Sequence, residues 1–507
     1  MRNAKTNANA NTNTNTNTNR TAMRARIRSL ALGTMGASFV ALSAMVAIAA
    51  CSSDDGPERA LLETDSGNEA SLPPPQETGD AGPTIDARPP FDPTEEAVTC
   101  TVTPCVVQLV AGGDHFCARM SDGTVRCWGE DTWGQLGRGA PDGENRPDAG
   151  DAGAIPPVVG LSNVTQISAA GRTTCALIAD GSVHCWGSNA WGELGLEESP
   201  GVADEDRHPT PAPVALGGES ATRVDVGTWS ACAALTTGKL ACWGDDYYLK
   251  LARPDGGGPG EDNIPVILGP GIAAIDAAAF AKTYGSTRTA LAVTTTGDVF
   301  SWGAIAGDDG LVSGRISSRS PDLEPQRIEQ LANVTSLAVS PILWREPNAK
   351  GGAGDRPIGQ SSPHAHACAI TNGEVYCWGH SFTGALCNGL PDKKQTPAHA
   401  PVFAKAWPQQ ITVGDETTCV RMTDGTVQCC GEDTNGALGR GSVTDFAAFF
   451  TPATAFTSHA VHVVASHSAV CALVQGGSVE CWGGNARGEL GGIPDKVAHP
   501  TPTKIVF

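Results

Sequence analysis

Short apolar runs separated by glycine-containing turns recur from about residue 105 to the end of the chain. In the clearest copies an apolar run leads into Ser-Asp-Gly, Ala-Asp-Gly or Thr-Asp-Gly, and a second run follows and ends at Trp-Gly. Short runs bounded by glycine turns are typical of β-strands joined as hairpins, and these segments have no helical period. The pattern therefore predicts an all-β protein built from repeated hairpins.

The Trp-Gly pair marks the repeat and sets its length. Successive pairs lie 52 to 76 residues apart when Cys430-Gly431 is counted as a copy in which cysteine replaces tryptophan. The best copies continue with Gly-Gln-Leu-Gly or Gly-Glu-Leu-Gly, a polar loop and a Pro-bearing strand such as "IPPVVGL". Several short strands in about fifty residues are typical of a propeller blade. The other pairs begin at Trp128, Trp186, Trp243, Trp302, Trp378 and Trp482.

This text, "DGTVRCWG" followed by "GQLG" in the first copy, resembles the regulator of chromosome condensation repeat. The resemblance covers roughly residues 99–507 and implies a seven-bladed β-propeller, which we assign to residues 98–507. The first copy lacks the Pro-bearing strand that precedes later copies, and residues 501–507 contain such a strand. We therefore expect the C-terminus to complete the first blade and close the ring.

Two cysteines flank the turn in most hairpins, and their spacing indicates that they face each other. The first copy has a three-residue loop ending in glycine, which places Cys117 opposite Cys127. In the fifth copy the loop has shrunk to two residues, a type I′ turn, and Cys368 still faces Cys377. Opposed strand residues lie within reach of a disulfide. The same register pairs Cys175 with Cys185, Cys232 with Cys242, Cys419 with Cys429, and Cys471 with Cys481.

The fourth copy has lost both cysteines together, since Leu291 and Ser301 occupy the facing positions. Joint loss is expected of a bonded pair. A zinc site would need four converging ligands, and a redox pair would favour Cys-x-x-Cys spacing, so neither alternative fits these cysteines. We therefore predict structural disulfides and an oxidising compartment. Two further pairs are candidates for bonding, Cys100 with Cys105 at the propeller's entrance and Cys387 with Cys430 between blades.

The first fifty residues carry six basic residues and no acidic one. A polar low-complexity tract is followed by basic residues, an apolar run and Ile-Ala-Ala-Cys ending at Cys51. This order resembles a bacterial lipoprotein signal over residues 1–50, and the resemblance implies cleavage before Cys51 and its lipidation. A transmembrane anchor is the alternative, because the apolar run approaches spanning length.

Residues 51–97 are rich in proline, acidic and small residues, so they predict a disordered tether. With either kind of N-terminal anchor the body lies outside the cytoplasm. Ser52 is compatible with sorting to the outer membrane of a bacterial cell envelope. The formal net charge of −20 disfavours binding to nucleic acid, because an acidic surface repels phosphate.

No catalytic motif accompanies the repeats, so we expect neither enzymatic activity nor a cofactor. His115 and His366 occupy a repeat position and favour a packing role over metal binding. A metal site that adds His364 and His380 is the weaker alternative. A calcium site in the acidic loops is likewise a weaker interpretation than solvated loops without a ligand, because the residue spacing of an EF-hand is missing. The loop acids are Asp142, Glu144, Asp148 and Asp151.

The insertion at residues 343–363 is the most individual segment of the repeats. It carries Trp344 and Arg345, residue types that dominate protein-binding sites, although a loop without function explains it nearly as well. We predict a monomeric, non-enzymatic propeller that binds an unknown protein or acts as a scaffold at the cell surface. The alternatives are an inhibitor of an extracellular hydrolase, since a similar secreted propeller inhibits β-lactamase, and a carbohydrate-binding propeller.

Overall fold

The computed structural model describes the propeller apart from several loops. All described residues belong to one compact unit, Ala81–Phe507. The predicted signal peptide and Cys51 lie outside them, as do Trp344, Arg345, His364 and the four loop acids. The described ranges are 90–139, 154–198, 201–246, 249–254, 267–286, 288–305, 310–319, 321–340, 365–381, 383–389 and 392–507.

Seven antiparallel sheets follow one another along the chain and form the seven blades. Within a blade the first strand lines the centre and later strands lie progressively further out. The first three blades contain β1 (Val106–Ala111), β2 (His115–Met120), β3 (Val125–Gly129); β4 (Val164–Ala170), β5 (Thr173–Ile178), β6 (Val183–Gly187), β7 (His208–Pro213); and β8 (Ala221–Gly227), β9 (Ser230–Leu235), β10 (Lys239–Asp245), β11 (Ile267–Asp276).

The remaining four blades have four strands each. They contain β12 (Phe280–Gly285), β13 (Thr289–Thr294), β14 (Val299–Gly303), β15 (Asp322–Arg327); β16 (Val334–Val339), β17 (His366–Thr371), β18 (Glu374–Ser381), β19 (Asp392–His399); β20 (Pro408–Val413), β21 (Thr417–Met422), β22 (Val427–Glu432), β23 (Phe446–Pro452); and β24 (Ala460–Ala465), β25 (Ala469–Val474), β26 (Ser478–Gly483), β27 (His499–Lys504). Short 3-10 helices at Ala277–Ala279 and Leu311–Ser313 lie between strands. Within the described ranges, no helix is long and apolar enough to cross a membrane.

The hairpin register is the one that the sequence predicted. The six cysteine pairs that flank hairpin turns are each directly opposed, and in the fourth blade Leu291 lies opposite Ser301. Asn372 and Gly373 have φ values of 51° and 78°, as a type I′ turn requires. The turn residues therefore fix which side chains face each other across each hairpin.

The C-terminal strand does not complete the first blade, so that expectation was wrong. β27 pairs with β26 and forms the outer edge of the seventh blade. In the first blade the outer position is taken by Pro157, which forms a bridge with Arg126. The Pro-bearing strand thus belongs to the hairpin before it in sequence, because the chain after Trp-Gly returns directly alongside the third strand.

Packing closes the ring between the seventh and first blades. Trp128 and Leu109 of the first blade share a hydrophobic cluster with Leu473 of the seventh. Phe507 packs its edge on Trp128 with ring centroids 5.6 Å apart. The Ile155 amide donates a hydrogen bond to the Val506 carbonyl at 3.2 Å. The C-terminus therefore contributes to closure through buried contacts, without exchanging a strand.

Candidate functional site

The two faces of the propeller are built from different segments. We call upper the face formed by the turns between first and second strands and by the loops after Trp-Gly. We call lower the face formed by the hairpin turns between second and third strands. A central channel lined by the first strands joins the two faces.

Six of the seven blades are connected to the preceding blade by a buried tryptophan. The indole Nε1 of Trp243 donates a hydrogen bond to the Glu193 carbonyl, in the upper loop of the preceding blade, at 2.8 Å. These indoles are at most 2% exposed, so they serve blade packing, as the sequence analysis favoured, and are closed to ligands. The other donor and acceptor residues are Trp128 and Glu489, Trp186 and Gln135, Trp302 and Lys250, Trp378 and Val312, and Trp482 and Ala437.

The glycine two residues after each acceptor makes room for the indole in most blades. Gly195 has a φ of 57°, and a Cβ added there would lie 2.6 Å from the Trp243 ring. Gly439 has the same relation to Trp482, with a nearest distance of 2.8 Å. We call the indole, its acceptor carbonyl and this glycine the Trp-Gly latch. In the third blade Ala252, with a positive φ of 53°, takes the glycine position and packs in the same buried cluster as Trp302.

The junction of the fifth and sixth blades replaces both members of the latch. Cys387 stands where most blades have glycine and keeps a positive φ of 55°, while Cys430 stands in place of tryptophan. The two are joined by a disulfide with Cα atoms 5.6 Å apart. The carbonyl left without an indole, that of Ala385, accepts the Thr418 hydroxyl at 2.7 Å. One cysteine pair thus substitutes for the latch while its acceptor remains satisfied.

The other cysteines are bonded within blades or at the entrance. Six pairs across hairpins have Cα atoms 4.1 Å apart, which confirms one disulfide in most blades. Cys100 is bonded to Cys105 ahead of β1. Sixteen of the seventeen cysteines are therefore engaged in disulfides, so thiol chemistry is not a property of the described propeller.

The repeat histidines are buried between blades. His115 Nε2 lies 2.8 Å from the Thr174 hydroxyl of the next blade, and burial lowers the pKa of His115 to about 3. His366 makes the equivalent contact with Thr418 at 2.8 Å. Both side chains are fully buried, and His380 is 3% exposed. Among the described residues, no three His, Cys, Asp or Glu side chains are grouped so as to hold a metal ion.

Aromatic side chains are partly exposed on the upper face of the first three blades. Trp191 stacks on Trp229 with ring centroids 4.8 Å apart and an interplanar angle of 28°. On the neighbouring blade the Arg172 guanidinium lies 5.5 Å from the centre of the Trp133 ring. We call Trp133, Arg172, Trp191 and Trp229 the aromatic patch. It concentrates the residue types that contribute most to protein-binding energy.

Buried polar groups hold the aromatic patch in place. The Lys250 ammonium forms an ion pair with Asp245 at 3.0 Å and also donates to the Thr228 carbonyl at 3.2 Å. It thereby supports the turn at Trp229, whose φ is 63°. Both charged side chains of the pair are at most 2% exposed. Because the supporting groups are buried and paired, the patch is presented on a rigid turn.

A buried carboxyl orients the loop that carries Trp191. The amide of Trp191 donates a hydrogen bond to the Glu193 carboxyl at 2.6 Å, and Gln135 accepts the same bond from Trp133 at 2.9 Å. Burial raises the pKa of Glu193 to about 7, and it does the same for Glu489. A neutral amide performs the same structural task in the first blade, so the charge is not needed for the loop fold.

Polar side chains tie neighbouring first strands together around the channel. Gln108, the third residue of β1, donates to the Ile167 carbonyl at 2.9 Å and accepts from the Ile167 amide at 3.0 Å. We call this pair of bonds a clasp. Each bond contributes about 1 kcal/mol net. Equivalent clasps join Gln166 to Val224 and Gln410 to Val463, and Ser336 accepts one bond from Ile411.

Residues 90–98, the last part of the predicted tether and the start of the assigned propeller, run along the lower face. Phe91 packs its edge on Trp407 with centroids 5.9 Å apart. Glu96 accepts hydrogen bonds from Gln475 and lies 2.7 Å from His459 Nε2. Residues 95–98 also line the channel, so they form its lower end.

The sequence analysis did not identify the aromatic patch. A signal was present, because Trp133 and Trp191 occupy a variable position just before the glycine of "DTWGQLG" and "NAWGELG". Large aromatics at a variable turn position indicate exposure, whereas a tryptophan kept in six of seven copies, as within Trp-Gly, indicates packing. Trp229 carried no such signal, because it lies in a turn between strands.

Known proteins share both the repeat and the fold. Models of the "Regulator of chromosome condensation (RCC1) repeat" match residues 106–135, 122–177 and 409–437. The human E3 ubiquitin-protein ligase HERC2 is 26% identical over 299 residues, covering 57% of this chain and 5% of HERC2. The ultraviolet-B receptor UVR8 of Arabidopsis thaliana is 24% identical over 389 residues, covering 76% of this chain and 78% of the receptor. The chain thus spans a small part of HERC2.

Two solved structures have a similar fold at low identity. Prp20p from Saccharomyces cerevisiae, described with its binding to Gsp1p and histones, superposes with a TM-score of 0.58 at 18% identity. The alignment covers 80% of this chain and 88% of Prp20p. Human WBSCR16 superposes with a TM-score of 0.53 at 16% identity, covering 73% of this chain and 87% of that protein. At these identities the likeness concerns the fold.

Proposed function

Because this chain carries regulator of chromosome condensation repeats and folds as the seven-bladed propeller of that family, we propose that it is a non-enzymatic protein-binding propeller. The observation that carries the proposal is the aromatic patch, which places three partly exposed indoles and one guanidinium on two adjacent blade junctions of the upper face. Rigid aromatic and arginine side chains lose little entropy on binding, so they are effective protein contacts. Prp20p, with a similar fold, is described as binding proteins.

The large insertion supports the choice of the upper face. It joins β16 to β17, and its described flanks are Ser340 and Ala365, at a turn between a first and a second strand. Such turns form the upper face in every blade. We propose that Trp344 and Arg345 of the insertion add contacts to the same partner.

Affinity capture with point variants tests the proposal. The full mature chain is immobilised, and partners retrieved from the cell surface are compared between wild type, Trp191→Ala and Trp407→Ala. Trp407 is a matched control, because it is a partly exposed tryptophan on the lower face. We expect Trp191→Ala to weaken a retrieved protein's affinity about tenfold or more, and Trp407→Ala to leave it unchanged. Equal retrieval by wild type and Trp191→Ala would contradict the proposal.

We further propose that the chain is a lipoprotein of the bacterial cell envelope, anchored through Cys51. The support is the residue order ending at Cys51 and the eight disulfides of the propeller, which are typical of an oxidising compartment. Mass spectrometry of the mature N-terminus is expected to find a lipid-modified Cys51. Cys51→Ser is expected to abolish the modification and processing. An unmodified Cys51 within an uncleaved chain would contradict the anchor.

A further inference from the structure

The central channel differs from blade to blade at one repeat position, the third residue of the first strand. Four blades place Gln108, Gln166, Ser336 and Gln410 there, and each bonds to the next first strand. The other three blades place basic residues there. These are Arg223, Lys282 and His462.

Two junctions lose their clasp as a result. After Arg223 the contact is kept in another form, because Arg223 Nη1 donates to the Phe280 carbonyl at 2.9 Å and the Asp225 carboxylate accepts both the amide and the hydroxyl of Thr283. After Lys282 and after His462, no equivalent side-chain bond to the next first strand is present among the described residues. At two junctions, therefore, a basic side chain in the channel takes the place of a stabilising hydrogen bond between blades. Departures of this kind from a structural rule indicate function.

The basic side chains line one space in the channel. The channel has a cavity of about 770 Å³, lined by all three residues and limited below by residues 95–98. The Lys282 ammonium lies 4.9 Å from the centre of the Tyr284 ring. The carboxylates of Asp225 and Glu95 also line the channel and interact electrostatically with this ammonium, which favours its charged form.

Polar atoms of the neighbouring blades remain without hydrogen-bond partners in this space. Arg223 Nη2 and His462 Nδ1 are buried and unpaired, although Arg223 Nε is bound to Asp225 at 2.8 Å. Burial, together with the charges of Lys282 and Arg421, lowers the pKa of His462 to about 4. The imidazole is thus neutral near pH 7, and the cations around it repel further positive charge.

We propose that the channel binds a small multivalent anion carrying carboxylate or phosphate groups, with Lys282 and Arg223 as its charged contacts. The Tyr284 hydroxyl and His462 add polar contacts from the same wall and from the seventh blade. Glu95 opposes the anion from the lower end, where it interacts electrostatically with Lys282 and Arg421. Glu96 is held on the lower face by Gln475 and His459.

The repeat supplies a variant that separates binding from folding. Lys282→Gln removes the ammonium and introduces the residue that forms clasps in three other blades. It is expected to melt no lower than wild type while losing the anion contact. Glu95→Gln is expected to strengthen binding, because it removes the opposing charge. Lys239→Gln, at an exposed position at the start of β10, is the matched control.

Isothermal titration of the full mature chain at pH 7 and low salt uses citrate and inorganic phosphate as separate probes. We expect one saturable site per chain for at least one probe, and the probe that binds identifies the group recognised. Lys282→Gln should weaken binding at least tenfold, Glu95→Gln should tighten it about threefold, and Lys239→Gln should not change it. The absence of saturable binding by both probes, or unchanged binding by Lys282→Gln, would overturn the proposal.

Discussion

The junction between the fifth and sixth blades and the junction between the second and third blades join the same elements by different chemistry. Between the second and third blades, the Trp243 indole donates a hydrogen bond to the Glu193 carbonyl and lies over Gly195. Between the fifth and sixth blades, Cys387 and Cys430 form a disulfide in the equivalent space. The remaining five junctions use an indole, so the disulfide is the exception.

The difference shows that the two positions are coupled. A side chain on the left-handed residue crowds the indole, because a Cβ at Gly195 would lie 2.6 Å from the Trp243 ring. Alanine is accommodated once, where Ala252 lies in the cluster that contains Trp302. A small residue in place of tryptophan would leave a void beside glycine. Two cysteines satisfy both conditions, since together they fill the space and bond across it. A side chain larger than alanine at the left-handed position therefore requires a change at the tryptophan position.

The largest effect is expected from removing an indole. Trp186→Ala should lower the free energy of unfolding by about 3–5 kcal/mol, because a fully buried ring and its bond to Gln135 are both lost. Chemical denaturation of the oxidised protein measures the change. Trp407→Ala is the control, and its partly exposed ring should cost less than about 2 kcal/mol. Equal losses would show that the latch contributes little.

A methyl group on the glycine of the latch is the next largest change. Gly195→Ala should lower the free energy of unfolding by about 2–4 kcal/mol, because it strains a positive φ and collides with the Trp243 ring. Gly217→Ala is a suitable control, because φ there is 65° but nothing lies within 4 Å of the added Cβ. The difference between the two variants in the same denaturation experiment isolates the collision. A difference near zero would contradict the coupling.

The smallest predicted effect depends on pH. The pKa of Glu193 is raised from an ordinary 4.5 to about 7, so the unfolded chain releases this proton more readily than the folded chain. The resulting penalty is absent below about pH 4.5, grows as pH rises toward 7, and is complete above it. Glu193→Gln should therefore stabilise the protein by about 1–3 kcal/mol at pH 8 and not at pH 4.5. Melting curves at both pH values measure this, and a gain independent of pH would contradict it.

The fold followed from the sequence because local geometry determines it. Glycine turns of fixed length set the hairpin register, so the facing of Cys368 and Cys377 could be derived from the loop between them. The same reasoning could not assign the Pro-bearing strand. That strand is separated from its hairpin by a polar loop of variable length, and sequence order alone does not show which neighbour it pairs with.

The candidate site was less accessible to sequence reasoning. The stacking of Trp191 on Trp229 joins a loop of one blade to a turn of the next, a contact that depends on how blades sit side by side. The basic residues of the channel are likewise separated by more than fifty residues along the chain. Their common position became visible only when the register placed each at the third residue of a first strand.

The direct test of the latch is to rebuild it at the exceptional junction. Wild type, Cys430→Trp, Cys387→Gly and the double variant are compared by calorimetry under oxidising conditions. We expect Cys430→Trp alone to lower Tm by at least about 6 °C, because the indole meets the Cys387 side chain, and the double variant to melt within about 3 °C of wild type. A double variant that melts no higher than Cys430→Trp alone would contradict the claim that tryptophan with glycine and the cysteine pair are alternative solutions at one position.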